Sequence, residues 1–344
     1  MQRRTFVTGA AAGLATLAFP QWLWAQAIEK PKLTIAVGGK NLLYYLPLTI
    51  AESLGYFKAE GLEVTIADFA GGSRALQAVI GGSADVVSGA FEHTINMQVK
   101  GQRLRAFALQ GRAPQIVLGI NPKTMAGYKT IADLKGKKIG VTAPGSSTNV
   151  LANFVLAKAG LKPSDVSIIG VGAGSGAVAA MRSGHIDAMS NLDPVITLLL
   201  RSGDLKVVSD TRVVAEADKI FGGPMPAACL YAPQSFIDKN PATVQALANA
   251  IVRADKWIQA AGASEIIKAV PESYLLGDRA VYVDAFLSAK GALSVDGMFP
   301  EAGAETARRA LASIDPEIAN GKIDLAAVWT NEFVKKANAK YPKG

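Results

Sequence analysis

Three stretches place glycine beside hydroxyl side chains where an apolar run gives way to an amphipathic one: Gly71-Gly72-Ser73, Gly145-Ser146-Ser147-Thr148 and Gly174-Ser175-Gly176. A turn of this kind leaves backbone N–H groups free at the start of a helix, where the positive dipole end favours an anion or a polar oxygen. Glycine lets a ligand approach the backbone closely. Each turn alone reads first as a simple helix N-cap; three together point to a ligand. One helix end contributes at most about 2 kcal/mol, whereas micromolar binding needs about 8 kcal/mol. Side chains must supply the rest. The candidates follow the ends of other apolar runs: Asn41, Tyr44 and Tyr45; then Phe91, Glu92 and His93; then Asn191 and Asp193. The aromatics suit an organic body with a polar handle, or equally a core. Glu92 repels an anion and suits an amine or a zwitterion, unless it only solvates a helix start.

Other chemistry is weakly supported. Asp85 and Asp187 sit in G-x-x-D turns, where a local side-chain to backbone hydrogen bond accounts for them without acid–base work. Gly172-Ala173-Gly174-Ser175-Gly176-Ala177 matches a dinucleotide fingerprint with Asp193 about 20 residues on, but it lies deep in the chain and is explained by an internal repeat. There is no P-loop motif. Cys229 is the single cysteine, so no internal disulfide forms, and His93 and His185 are too few for a histidine-rich metal site. No cofactor and no metal is expected.

The elements that must position these residues alternate. Leu33–Gly38, Leu62–Phe69, Leu104–Leu109, Lys138–Thr142, Val166–Val171 and Ile186–Ser190 read as strands, separated by helical patterns such as 91–100 and the stretch from Ser146 to about Ala159. This order calls for an α/β fold with largely parallel sheets. Sliding the chain by 102 positions aligns Gly72, Ser73, Gly82, Asp85 and Ser88 with Gly174, Ser175, Gly184, Asp187 and Ser190, so two related halves are expected. Ile116–Ile120 and Ala227–Ala232 each follow a Pro/Gly cluster and mark two crossings between lobes. Beyond the second crossing helices are expected over 240–258, with Asn240 as cap and Pro241 at the first position, and over 279–292, 302–314 and 325–339.

Composition bounds the rest. At 344 residues and 50% hydrophobic, the chain is long enough for two domains. Residues 1–27, with Arg3-Arg4 ahead of an apolar run and an Ala25-Gln26-Ala27 ending, read as a twin-arginine signal. The net charge of +8 is scattered, with no basic stripe, which argues against nucleic acid.

The phrases YYLPLTIAESLGYFKAEGLEV (44–64), FAGGSRALQAVIGGSADVV (69–87), TIADLKGKKIGV (130–141), GSSTNVLANFVLAKAGL (145–161) and GHIDAMSNLDP (184–194) resemble the nitrate/sulfonate/taurine group of ABC-importer substrate-binding proteins, with its thiamine-precursor (THI5-like) binders. The resemblance implies a type II periplasmic-binding fold of two α/β lobes joined by a two-strand hinge. Lobe one would comprise 28–114 and 228–344, and lobe two 115–227. It implies no enzyme but an exported, monomeric periplasmic subunit that closes on a small anionic or zwitterionic solute. An inner-membrane permease with a separate ATPase subunit would be its partner. In sulfonate-binding members the positions matching Gly71 to Ser73, Gly145 to Thr148 and Gly89 to Glu92 line the pocket. Those members often carry Trp-Asp-Pro where this chain has Leu192-Asp193-Pro194, so an aromatic contact is missing. A pyrimidine binder of the same fold, an exported NAD(P)-dependent oxidoreductase using Gly172 to Ala177, and a sensor-coupled binding protein remain the alternatives.

Overall fold

The computed structural model describes residues 27–343; the signal reading of residues 1–27 falls outside them except for Ala27. Ten strands form two five-stranded sheets. The first orders β2 (Glu63–Phe69), β1 (Lys32–Gly38), β3 (Val86–Ala90), β10 (Ala228–Pro233) and β4 (Leu104–Leu109). The second orders β7 (Ser167–Gly170), β6 (Lys138–Val141), β8 (Ala188–Asn191), β5 (Val117–Ile120) and β9 (Lys206–Asp210). Both share one plan. Three parallel strands lead, and the strand entering from the other lobe runs antiparallel between the third and the last. The crossings themselves are bonded at both ends: Ala227 N–H donates to the Gly111 carbonyl, and Thr211 N–H to that of Ile116, each at 3.0 Å.

The repeat of 102 positions has a physical counterpart. Asp85 accepts from Thr34 N–H at 2.9 Å and returns its own N–H to the Thr34 carbonyl. Asp187 makes the same clasp on Lys138, at 3.0 Å and 2.8 Å. The expected bond is thus to the neighbouring parallel strand, β1 or β6, 51 and 49 residues away, not to the local turn.

The helical C-terminal part covers the first sheet. Its 20-residue helix Pro241–Ala260 is not capped by Asn240, whose Nδ2 donates to the Phe236 carbonyl; the Glu29 carboxylate takes the Ala242 and Thr243 N–H groups at 3.0 and 2.9 Å. The last helix begins at Glu332, not near 325, because Trp329 is held in a bridge to Ala106 of β4. Strand β9 and the helix Val214–Phe221 have no counterpart among the expected elements. No described helix is long and apolar enough to cross a membrane.

Candidate functional site

The strand-to-helix turns of the two sheets face each other. A side chain at Gly71 would lie 2.8 Å from Ala143 Cβ and 3.0 Å from Ser146 Oγ, so glycine is what allows the approach. Ser73 N–H, at the start of the helix Gly72–Ile80, donates to Ser146 Oγ at 3.0 Å, and Ser73 Oγ donates to the Pro144 carbonyl at 2.9 Å. Two of the expected oxygen cradles therefore satisfy one another. The third, at Gly174, packs on the turn after β1: Asn41 Nδ2 donates to the Ala173 carbonyl at 3.0 Å, and Ala173 fills the space beside Gly39. The dinucleotide-like stretch is thereby committed to contact between the lobes.

Deeper between these turns lies a cavity of about 20 Å³. Tyr44, Glu92 and Ser147 are its polar lining; Ile116, Val150, Leu151, Phe221 and Met225 are among its apolar walls. Glu92 opens the helix Glu92–Gln98 directly after β3 and is 4% exposed. No side chain donates to its carboxylate among the described residues. Burial pushes it up to about 7, against the pull of its own backbone N–H. Its field also raises Tyr44, Tyr45, Tyr231 and Cys229, each already raised by burial. The Tyr44 hydroxyl is buried without a partner, its ring edge-to-face with Tyr45 at 4.8 Å. No lysine or arginine lines this cavity. A carboxylate, a phenol and a serine hydroxyl at a helix start, in apolar walls, can receive a group bearing N–H donors.

Next to Glu92, His93 is buried, with Nδ1 2.9 Å from the Tyr231 hydroxyl and Nε2 without a hydrogen-bond partner. Burial pushes its ring down to about 4, despite the opposing Gly145 backbone. At the far side of this residue opens a groove of about 670 Å³ between the lobes. A larger cavity, about 830 Å³, lies remote from the cleft, beside Ala27, Arg105 and Lys340 on the first lobe's outer side.

The remaining expected residues serve the frame. Phe91 packs on Phe299 at 5.6 Å in the core, away from the small cavity. Gly89 has no room for a side chain, with Tyr231 Oη 2.9 Å from the position a Cβ would take. Gly72 borders His93 and Tyr45. Thr148 Oγ1 takes the Thr142 N–H at 3.1 Å. Asn191 Nδ2 donates to the Gly172 carbonyl. Asp193 accepts from Thr197 N–H at 2.8 Å and pairs with Arg212 at 3.3 Å; burial still holds its carboxyl above the usual range. Cys229 is buried in β10. Among the described residues no group of three or more His, Cys, Asp or Glu side chains is arranged to hold a metal. Tyr231 and Arg212 carried no sequence signal: each is recognisable only through a partner on another element.

The NMT1/THI5-like family matches residues 43–262, and the chain belongs to it. A solved structure from Bordetella bronchiseptica RB50 is 65% identical, covering 92% of this chain and all of that one, with a TM-score of 0.91. The alkanesulfonate-binding protein SsuA from Xanthomonas axonopodis pv. citri, bound to MOPS, shares the fold at 20% identity, over 88% of this chain and 99% of its own, TM-score 0.68. The putative binding protein YtlA of Bacillus subtilis (strain 168) is 23% identical over 67% of this chain and 68% of its own. The periplasmic-binding fold is thus established, and a solute-binding role is supported.

Proposed function

We propose that this member of the NMT1/THI5-like family binds a small aminated solute, zwitterions included, between its two lobes and delivers it to an ABC importer. Export by the twin-arginine route to the periplasm, and a lobe division of 28–114 with 228–344 against 115–227, are part of the same reading. The observation that carries it is Glu92: a buried carboxylate with no cation beside it, sharing a cavity with an unpartnered phenol. An ammonium or amino group completes both, and a charge-assisted bond to a buried carboxylate is among the stronger ones available. An acidic or polar acceptor on the same solute fits best at Ser147, the first residue of the 12-residue helix Ser147–Lys158. A solute that is only anionic meets Glu92 with no compensating positive side chain. An aminopyrimidine that presents its amino group to Glu92 is the second reading.

The test is a thermal-shift panel at pH 8: primary amines, aminosulfonates, aminopyrimidines, sulfonates and carboxylates without nitrogen, nitrate, and NADP. A binder at 100 times its dissociation constant adds about 2.7 kcal/mol. Stabilisation confined to the amines, aminosulfonates and aminopyrimidines supports the proposal. Stabilisation by nitrate, by plain sulfonates, or by NADP alone, overturns it.

A further inference from the structure

Resting on the Glu92 reading, we infer that the solute is elongated, with its amino head at Glu92 and an uncharged tail lying in the groove beyond His93. The inner cavity, about 20 Å³, has room for a group about the size of one water. The groove, at about 670 Å³, falls within the roughly 300–1,000 Å³ of small-molecule sites. The same two helices line both spaces. On one, Glu92 borders the cavity while His93, Asn96 and Met97 border the groove; on the other, Ser147 borders the cavity, Asn149 and Asn153 the groove, and Val150 both. The two spaces meet where Glu92 is followed by His93 and at Val150, which borders both.

The groove's chemistry defines the tail. Amide side chains, Asn96 and Asn153 among them, stand on opposite sides of a floor that includes Leu76, Met97 and Leu311. Lys100 and Asp315 are the charges that border it, one of each sign. At the boundary His93, 1% exposed, keeps Nε2 without a hydrogen bond. Its Nδ1 meets the Tyr231 hydroxyl, and the ring, buried, also meets the Gly145 backbone, so His93 serves as the wall between the two spaces. An amide or a similar uncharged polar group on a short aliphatic spacer matches this lining.

Calorimetric titration at pH 8 with two probes, n-propylamine and N-acetyl-1,4-diaminobutane, tests the inference. The wild type is expected to bind the longer probe at least about tenfold more tightly. Asn153→Trp and Asn96→Trp, from opposite walls, should each erase that advantage and leave n-propylamine binding in place, with melting curves showing that both variants are folded. Equal affinity for the two probes overturns the groove assignment while the Glu92 reading stands, as does an advantage that survives both substitutions. If neither amine binds but a nitrogen-free anion does, the Glu92 reading fails and the inference with it.

Discussion

Replacing Glu92 by glutamine should make the protein more stable and less able to bind. The carboxylate is 4% exposed, and burial holds it at about 7 in the folded chain against 4.5 when unfolded. That gap is worth about 3 kcal/mol. The sign follows from proton counting. Below pH 4.5 both states hold the proton and nothing is lost. As pH rises through 4.5 the unfolded chain releases its proton first, so stability falls, and the full cost is present above about 7. Glutamine keeps the shape and removes the charge. Denaturant unfolding of wild type and Glu92→Gln, each without solute, should therefore give no difference near pH 4 and about 3 kcal/mol in favour of the variant at pH 8. Binding should move oppositely. Losing one partner of a buried charged pair costs about 2–5 kcal/mol, so an aminated solute should bind the variant at least about thirtyfold more weakly. A variant that is no more stable at pH 8, or a difference that ignores pH, would refute the account of Glu92 as an uncompensated charge kept for a ligand.

Other outcomes follow from the frame. Ser146 Oγ also donates to Ser73 Oγ at 3.2 Å; Ser73→Ala and Ser146→Ala remove the two ends of that contact between lobes, and a double-mutant cycle on solute affinity should give a coupling of about 1 kcal/mol. Arg212→Met leaves Asp193 buried and unpaired and should destabilise by about 3–5 kcal/mol in denaturant unfolding. Asp255, fully buried in the helix Pro241–Ala260, has its carboxyl raised by burial against the pull of Ser294. Its cost is absent below its unfolded value and grows above it, so Asp255→Asn should stabilise the protein at pH 7 by on the order of 1–3 kcal/mol and leave it unchanged near pH 3.

The sheets were legible because their signal is local and repeated. Most strands are short apolar runs, several of them followed by a glycine turn, and the match of Asp85 to Asp187 marks equivalent clasps in the two sheets. Strand β9 was not legible: Lys206–Asp210 is polar and only partly buried at a sheet edge. At the site, Glu92 and Tyr44 could be nominated from their place after strands, as could Ser147. Their meeting in one cavity could not, since it depends on how the lobes face each other. The same holds for Ser73 and Ser146: each reads as a helix start that would cradle an oxygen, and the structure spends each on the other. Asp193 follows β8 as a site residue would, but Arg212, 19 residues on, claims it for the frame.

The most direct measurement is a crystal structure of the complex with the strongest stabiliser from the panel. The account predicts that solute between the two sheets, with a nitrogen roughly 3 Å from a Glu92 carboxylate oxygen. A sulfonate or carboxylate group seated at Glu92, or a solute bound in the outer cavity beside Arg105, would contradict it.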